Sequence, residues 1–139
     1  MIKTVSEVEQ DFYNGLRKTS LIKHVSGKLY KHGLRPFDSA KEDVVVKITN
    51  LTADQIQEGT ATVLVYVPNI DGAEVGRMTP NKKRLFALER ESFVALKELK
   101  CYMPEYNNIR LAMAIGNDYD NELKQSFVSM RIKFKYLTD

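Results

Sequence analysis

The sequence has no tryptophan, no long apolar run and a single cysteine, Cys101. One cysteine excludes a disulfide within the chain, and a reducing compartment is the simplest setting for it. A membrane-spanning helix needs roughly 20 consecutive apolar residues, and no segment approaches that length. The first residues turn polar and acidic early, unlike a secretion signal. We therefore expect a soluble protein that is not secreted and does not contact a membrane.

The composition is that of one globular domain. Hydrophobic residues make up 43% and charged residues 28% of the 139 positions, and this balance excludes a disordered chain. The length fits a single domain over residues 1–139. The net charge of +3 is mild, whereas a dedicated nucleic-acid binder usually concentrates far more positive charge on one face. Charge alone therefore identifies no partner.

An unbroken alternation of apolar and polar residues at 126–136 is the clearest structural pattern. One face carries Val128, Met130, Ile132, Phe134 and Tyr136. The other face carries Phe127, Ser129, Arg131, Lys133 and Lys135. A period of two residues is typical of a strand, so this segment is predicted to be buried on one side and basic on the other.

Two helices are predicted. Thr4 and Glu7 have the spacing of a capping box, and apolar residues follow at helical intervals, which predicts a helix over residues 5–18. Thr79 as N-cap and Pro80 as the first helical residue predict the start of a second helix. Its buried stripe is expected to run to the helix end and to comprise Leu85, Leu88, Ala95, Leu96 and Leu99.

Four further strands complete the prediction, at 27–31, 43–49, 60–67 and 109–115. The valines of the second strand favour a central place in the sheet, and the second and third strands should form a hairpin. The segment Asn69 to Thr79 has two glycines and no periodicity, so an exposed loop is expected. The predicted fold class is α+β, in the order α-β-β-β-α-β-β, with two helices packed on one mostly antiparallel sheet.

No residue cluster indicates catalysis or a bound metal. His24 and His32 stand apart among lysines and are expected to be surface histidines. Cys101 has no histidine or glycine-rich context, so a buried or half-buried cysteine at a helix end is expected. Gly-rich phosphate loops and zinc motifs do not occur in the sequence. We therefore expect no enzyme activity, no catalytic residue, no metal and no cofactor.

The acidic segment 117–122 resembles the start of a calcium loop. Its sixth position counted from Asp118 is Leu123 instead of glycine, and its twelfth is Ser129 instead of glutamate. A hairpin turn rich in Asn and Asp is the better interpretation.

Two basic groups are candidate interaction surfaces. The first is Lys82, Lys83 and Arg84, which lie where the dipole of the second helix disfavours positive charge. They are either ordinary solvated side chains or a contact for an acidic partner. The second is Arg131, Lys133 and Lys135, which either protect an exposed strand from edge pairing or face a neighbouring subunit or DNA.

The layout of the chain resembles the tail-completion proteins, or tail terminators, of long-tailed bacteriophages and prophages. The likeness rests on the N-terminal helix, a helix and closing hairpin near the end, and the segments Lys28-Leu-Tyr30, Arg35-Pro36, Glu42-Asp-Val-Val-Val46 and Glu58 to Pro68. The resemblance implies a subunit that forms a ring, usually a hexamer, which caps the tail tube and joins it to the head. It implies self-association and tail-tube or head-connector proteins as partners, in the host cytoplasm and then in the virion.

Two other functions fit the sequence. A head-completion or connector protein has similar size and mixed α/β character. A nucleic-acid-binding accessory protein would use the two basic groups, but the basic strand face offers only Phe127 for base stacking, so nucleic acid is the weaker expectation.

Overall fold

The computed structural model describes residues 1–71, 78–120 and 122–138. The helices within them are α1 (Val5–Arg17), α2 (Leu21–His24) and α3 (Lys82–Tyr102). The strands are β1 (Leu29–Lys31), β2 (Val44–Leu51), β3 (Ile56–Pro68), β4 (Ile70–Asp71), β5 (Met78–Thr79), β6 (Tyr106–Leu111), β7 (Gly116–Asp120) and β8 (Gln125–Leu137). The α+β class and the order of the predicted elements are confirmed, while the short α2, the β4–β5 pair and β7 were not predicted.

The main sheet has the strand order β1-β2-β3-β8-β6, and β7 pairs with the other half of the same β8 edge as β6. Only β1 and β2 are parallel among the described pairs, so the sheet is mostly antiparallel as predicted. One edge of the sheet is therefore β1, and the opposite edge is the interrupted strand β6 and β7.

Helix α1 begins as the sequence predicts. The Thr4 hydroxyl oxygen accepts a hydrogen bond from the Glu7 backbone N–H at 3.2 Å, and a Glu7 carboxylate oxygen accepts one from the Thr4 backbone N–H at 3.0 Å. Its buried face includes Phe12, whose ring centroid lies 5.0 Å from that of Phe134 on β8. The helix thus packs directly on the sheet.

The start of α3 differs from the prediction. Thr79 belongs to strand β5, where it pairs with Ile70 of β4. The N-cap of α3 is Asn81. The Asn81 side-chain oxygen accepts a hydrogen bond from the Arg84 backbone N–H at 3.2 Å. The predicted N-cap at Thr79 and the helical Pro80 are therefore wrong by two residues. The predicted buried stripe is confirmed, and the helix continues three residues beyond its predicted end.

Strand β8 has the facing that its alternation predicts. The side chains of Val128, Met130, Ile132 and Phe134 are buried, while Arg131 and Lys133 are exposed on the opposite face. Its partner β3 starts at Ile56, four residues earlier than predicted, because the ladder with β8 extends to the pair Ile56 and Leu137.

The predicted strand at 109–115 is wrong in its second half. The ladder with β8 ends at Leu111, and the chain bends at residues 112 and 113, which leaves Met113 exposed. Pairing resumes at Gly116, so Asn117–Asp120 belong to β7 instead of a hairpin turn. The described turn residues are 122–124, closer to β8 than predicted.

Helices α1 and α3 lie on one face of the sheet, where they bury its apolar side chains. No described helix covers the other face, which we call the open sheet face. It carries Val45 and Lys47 of β2, the even-numbered residues 60–66 of β3, and Phe127 to Lys135 at odd positions of β8. No described helix is long and apolar enough to cross a membrane.

A cluster of polar side chains joins helix α1 to strand β6. The Asp11 carboxylate accepts hydrogen bonds from the Lys3 ammonium at 2.5 Å and from the Tyr106 hydroxyl at 2.7 Å. Burial, followed by this bond and the charge of Asp11, raises the pKa of Tyr106 far above its ordinary 10.0. Burial lowers the pKa of Lys3, but the bond and charge of Asp11 outweigh it and the net direction is upward.

We expect the protein to lose stability above pH 10. In the unfolded chain Tyr106 ionises near its ordinary pKa of 10.0, whereas the folded chain keeps the proton to higher pH. The unfolded state then binds fewer protons than the folded state, so the free energy of unfolding falls as pH rises. Urea titrations between pH 8 and 11 measure this. Tyr106→Phe should flatten the decline, and an unchanged slope in that variant would contradict the assignment.

Candidate assembly surfaces

The open sheet face forms a groove of about 670 Å³. Its lining includes the apolar side chains of Val45, Leu64, Tyr66 and Phe127, the hydroxyl-bearing side chains of its threonines, and the side chains of His32, Lys47 and Arg131. Alternation along β2, β3 and β8 builds this surface because every second side chain points away from the helices. The groove has the concave shape and mixed lining of a docking surface.

The cations of this face lie close to one another. Lys47 and Arg131 flank Thr62 in one row across three strands, and Lys133 lies directly opposite Arg110 of β6 in the next row. Like charges directly opposite each other destabilise a sheet. Lys135 lies on the same face. Among the described residues, it is the cation of this face that forms an ion pair, with its Nζ 3.4 Å from a Glu58 carboxylate oxygen. These rows of the open sheet face are therefore positive.

Edge protection does not explain the row of Arg131, Lys133 and Lys135. Strand β8 pairs with β3 on one side and with β6 and β7 on the other, so it is an interior strand. Its backbone groups need no protection from another chain, and that interpretation of the row is wrong. The reading in which the row faces a partner stays a hypothesis.

An arginine occupies the aromatic end of the groove. The Arg35 guanidinium lies 4.0 Å from the ring centroid of Tyr66, and its Nε donates a hydrogen bond to Asp43 at 3.0 Å. Both partners of this ion pair are buried, with side-chain exposures of 8% for Arg35 and 2% for Asp43. The Tyr66 ring lies 5.9 Å from that of Phe127. The loop 33–41 is therefore fixed over this end of the sheet.

The basic group at the start of α3 is divided between two roles. Arg84 forms a bidentate ion pair with Glu42, with distances of 2.6 and 2.8 Å, and it also donates to the His24 backbone oxygen. This pair with Glu42, first through its hydrogen bond, raises the pKa of Arg84. Lys82 reaches the side-chain oxygen of Asn117 at 3.3 Å, and Lys83 is exposed. Arg84 thus ties α3 to the loop before β2, and the lysines remain available on the surface.

Two apolar grooves lie at opposite edges of the sheet, and the sequence reading missed both. The β6–β7 edge groove has a volume of about 310 Å³ and is lined by Phe86, Phe93, Leu111, Ala114 and Ile115 with Glu89 and Arg90. The β1 edge groove has a volume of about 240 Å³ and is lined by Tyr13, Leu29, Tyr30, Lys31 and Leu34. Phe86 is 67% and Leu34 is 66% exposed, which is high for large apolar side chains. The spacing of Phe86 and Phe93 outside the buried stripe was the available sequence signal.

The remaining candidate residues do not form a site. His24 and His32 are exposed, and His24 Nε2 lies 3.3 Å from a Glu91 carboxylate oxygen. Cys101 is exposed in the last turn of α3, so the expectation of a buried or half-buried cysteine is wrong. It follows the last buried position of the stripe by two residues, which turns it outward. The described residues hold no group of three or more potential metal ligands.

Both ends of the segment Asn69 to Thr79 make defined contacts. The Asn69 side chain donates to the Lys124 backbone oxygen at 2.8 Å and accepts from the Ser126 hydroxyl at 3.1 Å. Strands β4 and β5 then pair with each other. The ends of the segment are therefore a short strand pair, whereas an irregular exposed loop was predicted. Residues 72–77 lie outside the described part of the chain.

The described residues form an α+β fold with a basic sheet face that no described helix covers and an apolar groove at each sheet edge. Comparison with protein-family models and with characterised proteins finds no match to the chain. Function is therefore argued from these surfaces.

Proposed function

We propose that the protein is a structural subunit of a phage or prophage tail, which assembles as a ring that caps the tail tube or joins it to the head. The observation that carries the proposal is the open sheet face, where a groove of about 670 Å³ has a mixed lining of apolar, polar and basic side chains. A groove of this kind is typical of a surface that another macromolecule covers. The layout resemblance to tail-completion proteins supplies the context.

The charges support a protein partner with an acidic surface. Placing Arg110 opposite Lys133 costs stability in the isolated chain, and an acidic partner would offset that cost in a complex. Exposed charges of this kind mainly set association rate, orientation and salt dependence. The tail tube or a head connector is the partner that the proposed function supplies.

The aromatic side chains favour this reading over nucleic acid. Binding of single strands depends on aromatic rings whose faces are free for stacking. The Tyr66 ring already has the Arg35 guanidinium 4.0 Å from its centroid, and Arg35 is held there by buried Asp43. Phe127 is half-buried beside it. The open sheet face is therefore better suited to a rigid protein surface than to unstacked bases.

A head-completion or connector protein is the alternative within the same particle. A head-completion protein would use the same basic face and the same contacts between subunits. It differs from a tail-completion protein in the position of its ring within the particle. Particles that lack the protein separate the two functions, since loss of a head-completion protein leaves tails of normal length.

Reversing the charge of the open sheet face should block assembly without unfolding the chain. In a phage or prophage that lacks the gene, Arg131→Glu with Lys133→Glu should yield at least about tenfold fewer infectious particles than the unaltered gene. Both residues are exposed, so the thermal melt should change little. A plaque assay on the complemented strain measures the effect.

Two further variants control this experiment. Lys23→Glu with Lys100→Glu makes the same charge change at exposed positions off the face and should complement fully. Lys82→Glu with Lys83→Glu keeps the Arg84 to Glu42 pair and tests the start of α3 as a second contact. Full complementation by the open-face variant would reject this surface. Tight binding of DNA by the purified protein, lost in that variant, would favour the nucleic-acid function instead.

A further inference from the structure

We infer that Phe37 anchors the protein partner of the open sheet face, by entering an apolar pocket of that partner beside its acidic surface. The inference rests on the proposed function for the identity of the partner. It adds the residue that holds the partner in place.

Phe37 is presented to solvent by a tight turn. Its side chain is 85% exposed, more than any other aromatic side chain among the described residues. The turn covers residues 36–39 and is closed by the Ser39 backbone N–H, which donates to the Pro36 backbone oxygen at 3.1 Å. Single exposed apolar side chains are common on protein surfaces and by themselves indicate nothing. The way in which this turn is held distinguishes Phe37 from them.

Side chains from outside the turn hold it against the sheet. The Ser39 backbone oxygen accepts hydrogen bonds from the Gln125 side-chain amide at 2.7 Å and from the Arg35 guanidinium at 3.3 Å. The Ser39 hydroxyl donates to the buried Asp43 carboxylate, which also pairs with Arg35. The turn is therefore fixed while Phe37 remains in solvent. An aromatic side chain on a rigid support loses little conformational freedom when a partner covers it.

The position of the turn indicates which partner takes Phe37. Arg35, two residues earlier in the chain, lies on the Tyr66 ring at the aromatic end of the groove. The turn therefore borders the open sheet face, and a protein that covers this face meets Phe37. Aromatic side chains that fill a pocket of the partner commonly supply a large share of the binding energy of an interface.

The cations of the open sheet face lie further along its strands. Lys47 and Arg131 flank Thr62, which is four residues from Tyr66 on β3, so about 14 Å of strand separates the two positions. A partner with acidic side chains opposite the cations and an apolar pocket at Phe37 uses both ends in one interface of ordinary size. The cations then set orientation and association rate, and Phe37 slows dissociation.

The absence of tryptophan from the sequence allows a direct test. Phe37→Trp gives the full chain a single tryptophan, placed at the turn. This variant is mixed separately with tails and with heads purified from particles made without the gene, and binding is followed by co-sedimentation. On binding we expect the tryptophan emission to shift to shorter wavelength and its quenching by iodide to fall. Lys23→Trp, at an exposed position off the face, should keep the emission of the free protein.

Removal of the aromatic ring is the second test. Phe37→Ala should weaken binding to the same tails or heads at least about thirtyfold, the effect of losing a dominant interface side chain. The side chain is mainly exposed in the free chain, so the thermal melt should stay within a few degrees. Phe86→Ala is the matched control, because Phe86 is also exposed but lies on α3, on the opposite side of the sheet. It should bind as the unaltered chain does.

The outcomes separate this anchor from the proposed function. Binding without a change in the emission of the Phe37→Trp variant, or equal binding by Phe37→Ala and Phe86→Ala, would overturn the anchor and keep the function. Failure of the unaltered chain to bind either tails or heads would reject the proposed function and the anchor with it. A change in emission with a DNA oligonucleotide alone would overturn the protein partner and indicate base stacking instead.

Discussion

Ile132→Asp should unfold the protein or destabilise it by about 3–5 kcal/mol. Ile132 is fully buried at the centre of β8, paired with Ala61 on one side and Leu111 on the other. A carboxylate there would lie among apolar side chains under the helices. The loss is comparable with the total stability of a typical domain, about 5–15 kcal/mol.

Lys133→Asp, at the next position, is the matched control for this change. Lys133 is exposed on the open sheet face and lies opposite Arg110, so an aspartate there relieves a repulsion between like charges. We expect a change within about 0.5 kcal/mol. Thermal and urea denaturation of both variants measures the difference, and equal losses would show that the assigned facing of β8 is wrong.

Arg35→Ala should be the second most damaging change, with a loss of about 3–5 kcal/mol. Asp43 is buried and accepts hydrogen bonds from Arg35 Nε, from the Lys28 backbone N–H at 3.0 Å and from the Ser39 hydroxyl. Removing the guanidinium leaves this carboxylate buried without its cation. It also removes the bond of Arg35 to Gln125, at 2.9 Å, which fixes loop 33–41 over the sheet.

Arg84→Ala is the comparison for Arg35→Ala. Its ion pair with Glu42 has side-chain exposures of 33% and 13%, compared with 8% and 2% for Arg35 and Asp43. Greater access to water makes such a pair worth about 1 kcal/mol. Urea denaturation should rank the two variants in this order, and a double-mutant cycle of Arg35→Ala with Asp43→Asn should show strong coupling. Independent, additive losses would mean that the buried pair does not hold the loop.

The local patterns were sufficient to predict the elements that local chemistry determines. The capping box of Thr4 and Glu7 and the alternation of β8 depend on residues adjacent in sequence, and the structure confirms both. The predicted start of α3 was wrong because Thr79 pairs with Ile70, and this contact with a residue nine positions away holds Thr79 in a strand. The break after Leu111 likewise depends on how the edge strand follows β8.

The surfaces depend on contacts that no local pattern reveals. The ion pair of Arg84 with Glu42 joins residues 42 positions apart. It gives Arg84 a structural role that separates it from Lys82 and Lys83, with which the sequence groups it. The place of Arg131 and Lys133 on an interior strand became clear only from the pairing of β8 on both sides. The edge grooves arise where a helix ends its contact with an edge strand, so they follow from topology.

Electron microscopy of particles made without this protein tests the proposed function most directly. The gene is deleted from the genome that carries it, and any phage particles released are compared with those from the complemented strain. A tail-completion subunit predicts tails of uncontrolled length, restored to normal by the unaltered gene, whereas detached tails of normal length would indicate the head-completion alternative. Normal, infectious particles from the deletion would contradict the account.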